Sequence, residues 1–511
     1  MNKLPLILAI CCVMCDSGNT CVAQQKLENR PNIIFILADD LGYGDVKCFN
    51  PQGKIATPHI DRLASKGVKF TNAHSSSAVC TPSRYSILTG RYPWRSTLQS
   101  GVLYGYNKPL ISPEHLTVAS FLKQNGYNTN CVGKWHLGLD WPLIANADIG
   151  MDNIEKKIDF TAKIANGPNT RGFDYFYGIS ASLDMPPFVY IENDHTVGIP
   201  TVTKTWVRPG IAEKEFEAVD VLPMLTSKAS DIIVSQANEK NPFFLYFALP
   251  SPHTPVVPSK AFDGKSKLTQ YGDFVMETDW AVGQVLHTLD SIGLTENTLI
   301  IFTSDNGFAP YVLNTMNVEA LGHFPSANFR GYKADIWEGG HHIPFVASWP
   351  GKIKPGTQNS DVISLTDFMA TCSAIINVPL PADAAEDSFS LLPDLLGKAT
   401  KPARPAIVFH SIDGNFSIQE GNWKLIFCPG SGGWASPKNK PAFDMGLPAV
   451  QLYDMTTDTS EKKNLVAAQP AVVERLTQLM EKYVAEGRST PGKPLRNEVP
   501  VDIWKDKIYM K

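Results

Sequence analysis

Residues Asn32-Ile33-Ile34-Phe35-Ile36-Leu37-Ala38 form an unbroken apolar run that ends abruptly on Asp39-Asp40. A run of that length without polar alternation suits a strand buried on both faces of a parallel sheet. Three further segments repeat the design. Residues 298–303 stop at Ser304-Asp305-Asn306-Gly307, residues 243–249 run into Pro250-Ser251-Pro252-His253, and the stretch Asn130-Cys131-Val132 gives way to Gly133-Lys134-Trp135-His136. Open α/β sheets bind their ligands beyond the carboxyl ends of the strands. One strand ending in Asp says little, because Asp commonly caps the next turn or helix. Four strands that deliver Asp39, Asp40, Asp305, Asn306, Lys134, His136 and His253 to one sheet edge are not explained by packing.

Helical patterns fill the gaps between these runs. Thr57-Pro58 opens a predicted helix over Ile60, Leu63 and Ala64, closed by Gly67. Ser112-Pro113 opens another over Leu116, Ala119 and Leu122, closed by Gly126, and residues 272–291 repeat Val275, Val282, Val285, Leu286 and Leu289. Such alternation predicts an α/β fold, a large and mostly parallel sheet flanked by helices. Past Leu396 it fades. Residues 406–409, 423–427 and 452–454 read as short strands, and Val472, Val473, Leu476, Leu479, Met480 and Tyr483 make one apolar helical face to pack on them. The expected division is a catalytic domain over 24–396 and a smaller α+β unit over 397–511.

With 511 residues, 43% hydrophobic and 19% charged, the chain has material for one large domain and an appendage. A net charge of -4 gives no basis for a nucleic-acid partner. Residues 1–23 read as a secretory signal, with Lys3 ahead of an apolar run over 4–14 and Cys21-Val22-Ala23 near a cleavage point. The mature protein is therefore expected to be secreted or periplasmic, and the run is too short to span a bilayer. Cys11, Cys12, Cys15 and Cys21 raise a lipoprotein alternative, which ranks second because none sits in a small-residue lipobox. Cys48, Cys80, Cys131, Cys372 and Cys428 then remain, too few for a disulfide scaffold. Cys131 is expected to be packed in its strand, and spacing does not fix any pairing among Cys48, Cys372 and Cys428.

Cys80-Thr81-Pro82-Ser83-Arg84 follows the polar run Ser75-Ser76-Ser77 and opens a predicted helix. Pro82 fits a first turn, whose N–H groups have no intrahelical acceptor. The helix start points free N–H groups and partial positive charge at Cys80, a setting for an activated nucleophile and an anion. The plainer alternative is a buried thiol ahead of an ordinary helix. Asp39, Asp40, Asp305 and Asn306 offer only oxygen ligands, which favour Ca²⁺ or Mg²⁺. Nothing obvious supplies the extra His and Asp ligands of a two-zinc phosphatase.

The motif Cys80–Arg84, followed by Leu88-Thr89-Gly90-Arg91, resembles the signature of the formylglycine-dependent (type I) sulfatases of the alkaline phosphatase superfamily. The resemblance runs from about Pro31 into the C-terminal region and implies an alkaline phosphatase-like fold. It implies that a formylglycine-generating enzyme oxidises Cys80 to an aldehyde, and that one Ca²⁺ is bound by Asp39, Asp40, Asp305, Asn306 and the modified Cys80. One hydroxyl of the hydrated aldehyde would attack sulfur, and the other would later lose its proton and expel sulfate. By the same resemblance Arg84 holds the modified side chain, and Lys134 contacts it and the sulfate. His136, two residues on at a strand end and so expected on the same side, is the base for sulfate release. His253 binds sulfate and protonates the leaving oxygen. Lys333, in Arg330-Gly331-Tyr332-Lys333-Ala334-Asp335-Ile336-Trp337-Glu338-Gly339-Gly340, matches the remaining sulfate-binding lysine. Tyr332 stands where a second glycine is common, and neither it nor His341 and His342 receives a role. Leu452-Tyr453-Asp454 with Glu461 and Asn464-Leu465 looks like the sulfatase C-terminal subdomain, with a loop near 430–440 expected to border the site.

The resulting expectation is a sulfatase acting on a sulfated carbohydrate, closest to arylsulfatase and N-acetylgalactosamine-6-sulfatase relatives. The insert over 141–203, rich in aromatic and polar residues such as Phe173, Tyr175, Phe176, Tyr177 and Asp184, suits a sugar or a folded loop core equally. Two rivals remain at this stage. One is a phosphatase or phosphonate monoester hydrolase on the same fold, and the other is a glycan-binding protein whose Cys80 stays unmodified.

Overall fold

The computed structural model describes residues 30–145 and 153–505. The expected signal segment and its four cysteines lie outside them. The strands in chain order begin with β1 (Asn32–Ala38), β2 (Val68–His74), β3 (Asn128–Lys134), β4 (Tyr175–Ile179), β5 (Tyr190–Glu192) and β6 (His195–Val197). β7 (Val202–Trp206) and β8 (Arg208–Ala212) pair as a separate hairpin. They are followed by β9 (Phe243–Ala248), β10 (Thr298–Ser304), β11 (His342–Ser348), β12 (Thr357–Asn359) and β13 (Ile363–Ser364). The main sheet runs β12-β2-β11-β10-β1-β9-β3-β4-β5-β6, with β13 also on β2. Its centre, β10-β1-β9-β3-β4, is parallel throughout. The four strands expected from their apolar runs are thus consecutive neighbours. Ala38 lies opposite Ser304, and Leu37 and Gly133 both lie opposite Ala248, so their polar ends emerge at one level.

Six helices cover the two faces: α1 (Pro58–Ser65), α2 (Cys80–Thr89), α3 (Val118–Gln124), α4 (Ala218–Ser235), α5 (Gln270–Ser291) and α6 (Phe368–Ile376). Strand side chains alternate between faces. Ile33, Phe35 and Leu37 accordingly share one core with α2, α3 and α6, and Ile34 and Ile36 share the other with α1, α4 and α5. α3 starts later than its Ser112-Pro113 signal suggested. Thr117 is the cap, its hydroxyl accepting from the Ser120 N–H at 3.0 Å, so Leu116 stays outside the helix. The insert over 141–203 supplies β4 to the sheet, and Phe173 and Phe176 are buried in the core, which decides for packing at those two positions.

Beyond residue 397 a second sheet has the order β14 (Ala406–His410), β15 (Phe416–Glu420), β16 (Trp423–Ile426), β17 (Gln451–Asp454), all antiparallel. β15 is an addition to the three strands expected. It joins β16 through a turn at Gly421, whose φ of 58° suits glycine. α7 (Pro470–Ala485) buries Leu476, Met480 and Tyr483 against this sheet. No helix of the described residues is long and apolar enough to cross a membrane. No disulfide joins the five described cysteines to one another.

Candidate active site

The centre of the site is the start of α2. Val79 is extended, Cys80 opens the helix with Pro82 in its first turn, and all ten helical residues are buried. Gly90, at φ 67°, ends the helix by donating its N–H to the Ser86 carbonyl. The loop ahead is fixed from two sides. The Ser75 N–H donates to the His341 carbonyl and the Ala78 N–H to that of His410, each at 2.9 Å, while the Ser83 hydroxyl donates to Ser77 O at 2.9 Å. Cys80 is 2% exposed. Burial pushes its thiol up, with Lys134 and Lys333 opposing and Asp305 and Asp39 adding to the rise. The encoded side chain is thus a neutral thiol, not the activated thiolate that a helix start alone suggested.

Carboxylates from two strand ends meet this cysteine. Donor atoms of Asp39, Cys80 and Asp305 all lie within 4.8 Å of one another, as do those of Asp39, Asp40 and His253. Three cations answer the three acids. Lys134 Nζ is 2.6 Å from Asp39 Oδ2. Arg84 donates to Asp305 Oδ2 from Nε and Nη2 at 3.0 and 2.8 Å, to the Lys134 carbonyl at 3.1 Å, and sits 3.6 Å from Asp39 Oδ1. Lys333 Nζ donates to Asp40 Oδ2 at 2.7 Å, and Asn306 Nδ2 donates to Asp40 Oδ1 at 2.8 Å. Arg84 therefore grips the carboxylates, and no hydrogen bond joins it to Cys80.

Burial alone would raise Asp39 and Asp40. Lys134 for the first and Lys333 for the second, with His253 beside both, hold them below the usual carboxylate range. Asp305 goes the other way, to about 6, because burial and the neighbouring Asp39 outweigh Arg84. Asp39 Oδ1 and Asn306 Oδ1 are buried without any hydrogen-bond donor. Such atoms are costly unless something satisfies them. Oxygen-only donors, two unsatisfied buried oxygens and one carboxyl short of positive charge fit a hard divalent cation. Among the described residues one other cluster has metal-like composition, His74, Glu338 and His342. Its groups satisfy each other instead. His342 Nδ1 lies 2.8 Å from Glu338 Oε2, and the Lys424 ammonium lies 2.8 Å from both Glu338 Oε1 and Glu461 Oε1.

The two histidines are set by their backbones. β3 ends at Lys134, and His136 has a left-handed φ of 56°, so the expected strand alternation does not carry to it. Its Nε2 faces the Leu103 carbonyl at 2.7 Å. A carbonyl only accepts, so Nε2 carries the proton and Nδ1 is a buried acceptor with no partner. Burial, with Lys134 and Arg84 nearby, holds this imidazole well below its ordinary value and therefore neutral. His253 donates from Nδ1 to the Thr254 carbonyl at 2.6 Å, leaving Nε2 3.4 Å from the Tyr311 hydroxyl and 3.6 Å from Asp40 Oδ2. Burial would lower Lys333, but Asp40 keeps it well above the usual lysine range. Asp39, Asp40, Cys80, Arg84, Lys134, His253, Asp305, Asn306 and Lys333 are thus joined through ion pairs, hydrogen bonds and close donor atoms, while the hydrogen bond of His136 goes to the Leu103 carbonyl.

Three neighbours received no role from the sequence. The Tyr311 hydroxyl donates to Asp40 Oδ2 at 2.9 Å. Asp184, a member of the insert, is buried with Oδ1 3.9 Å from His253 Nδ1 and its other oxygen paired to Arg208. Asp335 accepts the backbone N–H groups of Trp434 and Ala435 at 2.9 and 3.0 Å, which draws the 430–440 loop to the Lys333 segment. Asp335 lay within the motif around Lys333 and Asp184 within the insert, but neither they nor Tyr311 carried a local signal for these contacts. Tyr332 donates to Glu319 at 2.9 Å, and His341 and His342 lie in the buried network, so these residues pack.

Comparison with known proteins agrees with this geometry. The family model described as Sulfatase matches residues 31–378. An N-acetylgalactosamine-6-O-sulfatase of Bacteroides thetaiotaomicron is 36% identical over 94% of this chain and 98% of its own length. Human arylsulfatase A is 33% identical over 89% and 88%. A solved structure from work on glycosaminoglycan metabolism by Bacteroides thetaiotaomicron superposes with a TM-score of 0.78 at 36% identity, covering 89% of this chain and 99% of that one. The chain therefore belongs to the sulfatase family and is a sulfuric ester hydrolase.

Proposed function

We propose that this enzyme removes sulfate from a sulfated carbohydrate, using a formylglycine made from Cys80 by a formylglycine-generating enzyme and one Ca²⁺ held by Asp39, Asp40, Asp305 and Asn306. The observation that carries the reading is the donor set in which Asp39 and Asp305 meet Cys80 at a helix start, with buried, partnerless oxygens on Asp39 and Asn306. Carbohydrate as the substrate class is supported by the relative active on N-acetylgalactosamine 6-sulfate. A galactose-type sugar is the first substrate to try. The signal over 1–23 and delivery to the periplasm or outside the cell belong to the same proposal.

Bound here, the cation would offset sulfate charge, and the hydrated aldehyde at position 80 would supply the oxygen nucleophile. The rest is work for this chain's own side chains. Lys134 and Lys333 already stand against Asp39 and Asp40, so their ammonium groups border the place where sulfate oxygens must lie. Arg84 fixes the Asp305 carboxylate through two hydrogen bonds and stands beside Asp39. Entering the step as the imidazolium, with its Nδ1–H held by the Thr254 carbonyl, His253 gives its Nε2 proton to the leaving sugar oxygen and is left as neutral imidazole. His136 Nδ1, neutral and partnerless, takes the proton whose loss frees sulfate. With three acids and three cations near balance, a divalent cation leaves net positive charge for an anionic ester.

Sulfate release from a panel of defined sulfated mono- and oligosaccharides, read by ion chromatography, tests the reading on protein matured with a formylglycine-generating enzyme. Release should depend on Ca²⁺, and metal analysis should find one ion per chain. Matured protein that cleaves phosphate esters but no sulfate ester would overturn it.

A further inference from the structure

We propose that Trp434 is the stacking platform for the sugar next to the sulfated one, so that the site prefers an oligosaccharide to a sulfated monosaccharide. This rests on the carbohydrate sulfatase reading above. An exposed aromatic residue by itself means little. Here three observations point to a ligand. Trp434 is 38% exposed although the loop beneath it is tied down: its N–H and that of Ala435 reach Asp335, the Ile336 N–H donates to Ser431 O at 2.8 Å, and the Gly430 and Gly432 N–H groups share Asn439 Oδ1 at 3.2 and 3.1 Å. Its ring lies 6.0 Å from that of Tyr311, whose hydroxyl bonds Asp40 and whose ring lies 5.8 Å from the Lys333 ammonium. The support is rigid because Gly433 packs so tightly that a Cβ there would sit 2.4 Å from the Ala334 carbonyl, next to Lys333.

Trp434 is therefore one aromatic ring removed from the sulfate-binding cluster, on a loop anchored to that cluster. An apolar ring face held in place before binding gives contact area at small entropic cost. With Tyr311 touching both Asp40 and Trp434, the sulfated sugar lies over Tyr311 and the indole is presented to the next ring.

Binding is measured by calorimetry on unmodified Cys80 protein. The probes are N-acetylgalactosamine 6-sulfate and a trisaccharide bearing that sugar at both ends of a glucuronic acid. The natural protein should bind the trisaccharide more tightly, and Trp434→Ala should weaken it roughly ten-fold while changing the monosaccharide less than about two-fold. Turnover of 4-nitrophenyl sulfate by matured Trp434→Ala should match the natural enzyme and shows that the site is intact. Unchanged trisaccharide affinity, equal loss of both saccharides, or no preference in the natural protein overturns the proposal. Saccharide binding with no sulfate release by matured protein would sink the sulfatase mechanism and leave the Trp434 comparison standing.

Discussion

Position 80 shows how strongly a side chain depends on its surroundings. As cysteine it is buried, neutral and faced by two carboxylates, so its thiol has little nucleophilic form at neutral pH. Cys80→Ala should abolish sulfate release and leave stability within about 1.5 kcal/mol, since only one buried sulfur is lost. A variant with residual turnover would show that another group attacks. His136 belongs to the same scale. Its left-handed backbone and the Leu103 carbonyl leave one free nitrogen, and burial keeps that nitrogen unprotonated. His136→Ala should lower kcat by ~10²–10⁴-fold with KM little changed. A KM effect of the same size with kcat intact would mean that His136 binds substrate instead. The identities of both residues were legible in Cys80–Arg84 and Gly133–Gly138. Asp184 and Tyr311 were not, because no short motif says which strand end they will face.

At the scale of elements, the strands and helices that hold the site were readable where the pattern was local. Apolar runs over β1, β9 and β10 need no partner to be recognised, whereas β2 and β11 acquire their place through antiparallel pairing with each other. Close approaches were equally hidden. Gly133, at φ 117°, lets β3 pass β9 where a Cβ would lie 1.8 Å from the Ala248 carbonyl, and Gly307 allows the same against Gly339 O at 1.9 Å. The start of α1 offers a test. Asp279 of α5 accepts the His59 and Ile60 N–H groups at 3.1 and 2.8 Å, and burial pushes its carboxyl up to about 7 despite those bonds. A folded-state value above the unfolded one means stability that is full below about pH 4 and lost as pH rises through 7. Relative to Asp279→Asn, the natural chain should lose on the order of 3 kcal/mol across that window. Urea unfolding at pH 4, 5.5 and 7 decides it, and a constant difference between the two proteins would show that Asp279 stays ionised.

For the whole molecule, the C-terminal unit completes the catalytic one. Tyr92 and Trp94, just past α2, belong to the apolar core of the second sheet. The Tyr92 hydroxyl accepts from Arg404 at 2.9 Å and from the Val408 N–H at 3.0 Å, and Arg95 pairs with buried Asp387 at 2.7 Å. The second sheet and the segment just past α2 therefore share buried side chains. We expect one cooperative thermal transition, with tryptophan fluorescence and far-ultraviolet circular dichroism coinciding. Two separated transitions would show that the units are energetically independent. The sequence by itself determined the central parallel strands, the helix carrying Cys80, and the acids, lysines and histidines at their ends, since each rests on residues near one another in the chain. Only the tertiary structure decided that Arg84 clasps Asp305, that Tyr311 and Asp184 flank His253, and that Asp335 brings Trp434 to the rim. Those contacts join residues up to 221 positions apart, and sheet register and close backbone packing set them.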